Sequence, residues 1–131
     1  MATTKLTIPI EIELDDEFFS DLLVTALEGG SNYWIDHITV RIPSNQQKPQ
    51  GMSHSEWAGI AINNYGNIKV TSTEGDNVIT KGSLINGIML WVSHHPSHVS
   101  FEGDTIDSSN IDASDADSIL QYAVFGKLVF G

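Results

Sequence analysis

The chain has no cysteine, which removes disulfides and thiolate metal sites from any account of how it folds or acts. Cations are scarce as well: six Lys and Arg stand against 17 Asp and Glu, for a formal charge of −11. Binding nucleic acid through its phosphates needs a basic face, which six cations can hardly build. No apolar run approaches the ~20 residues of a membrane span. The start, Met1-Ala2-Thr3-Thr4-Lys5, lacks the charged and then apolar segments of a secretory signal. Neither nucleic acid nor membrane is therefore expected as a partner, and a cytoplasmic setting is. Catalytic signatures are missing too: there is no Gly-x-Ser-x-Gly elbow, no His-Glu-x-x-His pair and no Gly-x-x-x-x-Gly-Lys-Ser/Thr phosphate loop.

What is there predicts a single domain over residues 1–131, long enough to bury a core without staples. Leu6, Ile8, Ile10, Ile12 and Leu14 alternate with Thr7, Pro9, Glu11 and Glu13, the period of a half-buried strand, with Pro9 marking an edge. Asp15 or Asp16 caps a helix whose stripe is Phe19, Leu22, Leu23, Ala26 and Leu27. Gly29 and Gly30 stop it, one of them in the left-handed conformation. From Trp34 to Ile42 the period returns to two, with Asp36 anomalous on the apolar side.

Residues 43–56 read as an exposed loop. Residues 57–73 read as a hairpin turning at Asn63-Asn64-Tyr65-Gly66. Glu74-Gly75-Asp76-Asn77 is a second turn and Val78-Ile79 a short extended piece. Thr80 caps a second helix carrying Leu84, Ile85, Ile88, Trp91 and Val92 and ended by Pro96. Gly82 and Gly87 disfavour it and leave a buried strand over 85–92 as the alternative. Residues 97–111 form a second exposed loop. Asp112 or Ser114 then caps a third helix, with Ala116, Ile119, Leu120, Ala123 and Val124 inward and Gly126 at its end, and 127–130 close as a strand. The order β-α-β-hairpin-α-α-β predicts an α+β fold: one small domain, a mixed or mostly antiparallel sheet, about three helices packed on one face.

Three stretches carry polar chemistry. In Glu28-Gly29-Gly30-Ser31-Asn32-Tyr33-Trp34, two glycines let a backbone approach a ligand, and Asn32, Tyr33 and Trp34 can bracket a flat ring. The bland reading is a helix stop followed by core aromatics. His94-His95-Pro96-Ser97-His98 places three imidazoles within reach of zinc or nickel, with His54 and Glu56 as completing ligands, or else forms a solvated helix end. Asp112, Asp115 and Asp117, with Asp104 and Asp107 upstream, have cation-like spacing without the EF-hand pattern, and acids at a helix start already suit its dipole. Gln121 lies one turn beyond Asp117 on the same helix edge.

Two segments also resemble a known family. Leu23-Val24-Thr25-Ala26-Leu27-Glu28-Gly29-Gly30-Ser31-Asn32-Tyr33-Trp34 is similar to the opening signature of small proteins encoded widely by bacteriophages and bacterial genomes. Asp115-Ala116-Asp117-Ser118-Ile119-Leu120-Gln121-Tyr122-Ala123-Val124-Phe125-Gly126, continuing to Phe130-Gly131, resembles their closing signature, with Phe130 where that family more often has Tyr. Residues 43–110 carry no part of the resemblance. It implies a phage or prophage setting rather than a chemistry. Should the two signatures meet, Glu28, Gly29, Gly30, Asn32, Tyr33, Trp34, Asp117 and Gln121 form one ligand pocket.

The combined expectation is a non-enzymatic, phage-encoded binding protein in the host cytoplasm, working as a homo-oligomer without a cofactor. It would sequester a small polar, nucleotide-like molecule or inhibit a host defence protein. The alternatives are a small metal-dependent hydrolase built on His94, His95 and His98, and an acidic mimic of DNA.

Overall fold

The computed structural model describes residues 2–4 and 11–131, so most of the alternating run expected as a first strand, 5–10, lies outside the described residues. Residues 11–15 belong to no regular element, although Glu13 N–H donates to the Asp104 carbonyl at 2.9 Å. The first helix, α1 (Asp16–Thr25), starts as its sequence dictates: Asp15 accepts the Phe18 amide, and Asp16 and Glu17 meet the positive end of the dipole. Phe19, Leu22 and Leu23 are its buried stripe. It runs on into a π-helical turn, Ala26–Gly30. Neither Gly29 nor Gly30 takes a positive φ, against the expected left-handed stop.

β1 (His37–Arg41) is shorter than expected, because residues 31–34 form a turn in which Tyr33 and Trp34 precede any ladder. The expected hairpin over 57–73 is half wrong. Its first arm is a helix, α2 (His54–Asn63), capped by Ser53, which accepts the Glu56 amide at 3.2 Å. Residues 54–56, assigned above to an exposed loop, are its first turn. The buried residues Trp57, Ala58, Ala61 and Ile62 recur at helical spacing. The large residues Trp57, Ile60 and Ile62 suggested another period, whereas the small Ala58 and Ala61 complete the helical face with Trp57 and Ile62. Gly59 lies against Ser20 of α1, where an added Cβ would sit 3.0 Å from Ser20 Oγ.

The second arm is a strand, β2 (Asn67–Ser72), at the centre of an antiparallel sheet ordered β1-β2-β3, with β3 spanning Gly75–Ile79. Ile38 faces Val70 and Val40 faces Ile68 on one side; Ile68 faces Ile79 on the other. Ile68 and Val70 are buried while Lys69 and Thr71 are not, the alternation of a sheet with one face on a core. Helix α3 (Lys81–His94) forms behind a Thr80–Ser83 capping box despite its two glycines. A two-residue hairpin, β4 (Phe101–Glu102) with β5 (Thr105–Ile106), interrupts the expected loop over 97–111.

The last helix, α4 (Ala113–Phe125), is capped by Asp112 and ended by Gly126 at φ 72°. Residues 127–130 join no ladder among the described residues, so the expected closing strand is absent. The result is an α+β fold with four helices and two antiparallel sheets among the described residues. α1 packs on α2 and α3 on α4. Leu22, Leu23, Ile68, Ile79, Leu84, Trp91, Ile119 and Leu120 form one core between them. No helix among the described residues is long and apolar enough to cross a membrane.

Candidate functional site

The opening and closing signatures do meet, along the flank of α4. Gly30 makes this possible, because a Cβ there would collide with the Ala113 carbonyl oxygen at the start of that helix. Gly126 stands at the other end of α4, about 20 Å away for a helix of 13 residues. The contact therefore forms between the two glycine ends rather than at them.

Its centre is the buried Asp117 carboxylate, which accepts from four side chains. Ser31 Oγ and Trp34 Nε1 donate to Oδ1 at 2.9 and 2.6 Å, and Tyr33 OH and Gln121 Nε2 donate to Oδ2 at 2.7 and 3.1 Å. Gln121 extends the network. Its Oε1 accepts the Val129 and Phe130 amides at 2.8 and 2.9 Å, and its Nε2 reaches the Phe130 carbonyl at 3.3 Å. One amide side chain thus satisfies consecutive backbone groups of the tail, which joins no ladder among the described residues. The tail's Phe130 ring stacks on Trp34, 5.3 Å between centroids and 9° between planes, with Phe125 tilted against both. Tyr33, more than half exposed, stands at the rim of the knot. Burial of its hydroxyl, the hydrogen bond to Asp117 and that residue's negative charge push its pKa up to about 12, against a lowering by Gln121.

Four expected ligand residues, Tyr33, Trp34, Asp117 and Gln121, therefore converge, and their polar atoms bond to one another. Glu28 and Asn32 make their hydrogen bonds elsewhere, to Ser55 and within the π-helical turn. Ser31, fully buried, belongs to the knot although nothing in its sequence context marks it out.

Asn32 instead borders a cleft of about 270 Å³ between the end of the π-helical turn, the start of β1 and the first residue of α2. Leu27, Ile35 and Ile38 give the cleft an apolar floor; Asn32, Asp36, His37 and His54 are its polar lining. Asn32 Nδ2 donates to the Glu28 carbonyl at 3.0 Å, which leaves its Oδ1 free to accept. Glu28 Oε1 accepts from Ser55 Oγ at 2.6 Å and so ties the turn to α2 beside the cleft. Asp36, the acid on the apolar side of the expected strand, precedes β1 and is exposed to the cleft. His37 and His54 had no signal in the sequence beyond being histidines.

The three clustered histidines close over α4. His98 Nδ1 lies 2.8 Å from Asp115 Oδ1, His95 Nε2 lies 3.0 Å from Tyr122 OH, and the His94 ring stacks on Tyr122. Among the described residues no three His, Asp or Glu side chains are placed to hold a metal ion, His54 and Glu56 included. Four of the five acids of the expected cation site are engaged by other partners. Asp112 caps α4, Asp115 pairs with His98, Asp117 is in the knot, and Asp107 accepts from Ser109 and Asn110. No family model, no curated protein and no solved structure matches the chain.

Proposed function

We propose that this is a phage-encoded, non-enzymatic binding protein that acts in the host cytoplasm by holding a small, flat, polar molecule in the cleft beside Asn32. The carrying observation is the contrast between the two sites: the knot's polar atoms are all engaged, while the cleft offers Asn32 Oδ1, Asp36, His37 and His54 around an apolar floor. An apolar floor with a few convergent polar groups is what a small-molecule site needs. At about 270 Å³ the cleft is below the ~300 Å³ from which drug-sized sites begin, so it takes one ring system and not a dinucleotide.

Asp36 accepts from an exocyclic or ring amine, Asn32 accepts a second proton, and the imidazoles complete the edge. A net charge of −11 opposes a polyphosphate, which narrows a nucleotide-like ligand to its base or nucleoside part. Sequestering such a molecule would deny it to a host defence enzyme. Two of the acids that a DNA mimic would display, Asp115 and Asp117, are buried.

Native mass spectrometry of protein from the host cell, then of the same sample denatured, tests the reading, followed by calorimetric titration with a panel of nucleobases and nucleosides. A mass excess released on denaturation, or a panel ligand with measurable affinity, is expected, lost in Asp36→Ala and His54→Ala without change in melting temperature. A bare chain mass with no panel binding, or binding indifferent to both substitutions, overturns it.

A further inference from the structure

From Gly82 to Ser93 α3 carries no charged residue, in a chain whose formal charge is −11. Its outer face is uncharged, with Met89 65% exposed and Ile85 40% beside the exposed Asn86 and Ser93. Met89 stands on a ridge between two depressions. One, about 430 Å³, is walled by Ile12, Leu14, Ile85, Val92 and Ile106; the other, about 630 Å³, by Ser83, Asn86 and Leu90 of α3 and by Ala123 of α4. No charged residue lines either.

We infer that this face is the contact between two copies of the chain, each placing Met89 in a depression of the other about a two-fold axis. Shape supports this first. A ridge with a groove on its flank is self-complementary, the condition for an isologous contact, and helices pack ridge into groove. The 14 residues of α3 span about 21 Å, enough for such a crossing. Charge supports it second. Two copies at −11 repel wherever acids face acids, and an uncharged face lets them approach without that cost. A basic partner would seek the acids elsewhere, such as the rim of Glu13, Asp15, Glu17 and Glu102. A stable contact needs about 800 Å² from each copy, a tenth of the 8051 Å² the chain exposes.

Sedimentation of the full chain over a range of concentrations tests the proposal. The wild type should run at twice the 14.3 kDa of one chain. Met89→Glu and Ile85→Glu, both at exposed positions, should each raise the dimer dissociation constant at least tenfold, while Tyr65→Glu, at a residue 88% exposed outside α3, leaves it unchanged. Added salt should tighten the dimer, because it screens the repulsion and leaves apolar contact intact. A wild type that stays monomeric, a Met89→Glu dimer of unchanged affinity, or a dimer that salt dissociates overturns it.

Discussion

Replacing Asp117 by alanine removes one acceptor from four donors. Ser31 and Trp34 are buried, so their donors are left facing nothing, at about 1–3 kcal/mol each. Tyr33 and Gln121 keep each other at 3.2 Å, and Tyr33 reaches water, which adds little. The sum, about 2–6 kcal/mol, brackets the ~3–5 kcal/mol lost when one member of a buried pair is deleted. Whole domains are stable by about 5–15 kcal/mol. At about 4 kcal/mol out of about 10, Asp117→Ala should remove some two fifths of the total and lower the melting temperature by about 10–20 °C.

Asp117→Asn keeps the shape and one acceptor for Ser31 and Trp34, but turns an amide N–H₂ towards Gln121 Nε2, for a smaller loss of about 1–2 kcal/mol. Urea unfolding followed by tryptophan fluorescence measures both, since Trp34 sits inside the network. The midpoint should fall in the order wild type, Asn, Ala with the slope preserved. An alanine variant within 1 kcal/mol of wild type refutes the structural role. Removing a ligand-binding acid would leave stability unchanged or raise it.

Tyr33→Phe should flatten the alkaline limb of stability. The folded phenol titrates at about 12 and the unfolded one near 10, so its contribution is whole below pH 10 and lost as pH rises towards 12. Urea midpoints between pH 8 and 12 read it, with the effect reduced because the ring is 59% exposed. The two glycines of α3 should diverge. Gly87→Ala drives a Cβ to 2.6 Å from the Ile119 carbonyl and costs several kcal/mol, about 1–3 or more by the usual scale of overpacking. Gly82→Ala meets only Thr80 Oγ1 at 3.7 Å and should gain about 0.5–1 kcal/mol; thermal melts separate them. Gln121→Ala should free the tail and make the Lys127–Leu128 bond a trypsin site, cut several-fold faster than in wild type, with intact-mass analysis locating the cut.

Three of the four helices were legible because their signals are local: Asp15, Thr80 and Asp112 cap them, and apolar stripes of large residues follow. α2 was not, because half of its packing face is small: Ala58, Gly59 and Ala61 are buried between Trp57 and Ile62, and small residues carry little hydrophobic signal of their own. The closing strand failed for a related reason. Phe130 has the composition of a strand, but its partner is a glutamine side chain, and no local pattern reveals that a backbone will pair with a side chain. At the site, residue types in the opening and closing signatures pointed to Tyr33, Asp117 and Gln121 as a group. They could not reveal that the group was saturated, which depends on Ser31 and Trp34 filling the last acceptor positions of one carboxylate. For the cleft the usable signals were Asn32, in the opening signature, and Asp36, an acid out of phase with its strand.

The two halves of the network differ in how far the chain must travel to close them. Gln121 and Phe130 are nine residues apart, whereas Ser31 and Asp117 are 86 apart. Loop-closure entropy puts the first at about 2 kcal/mol and the second at about 4. This difference predicts that the tail docks on α4 early and that the opening turn reaches Asp117 late, after the transition state. Contacts made after that point slow unfolding without speeding folding. The carboxylate of Asp117 thus governs the lifetime of the folded chain more than the route by which it forms, and its loss should appear chiefly as a faster unfolding rate.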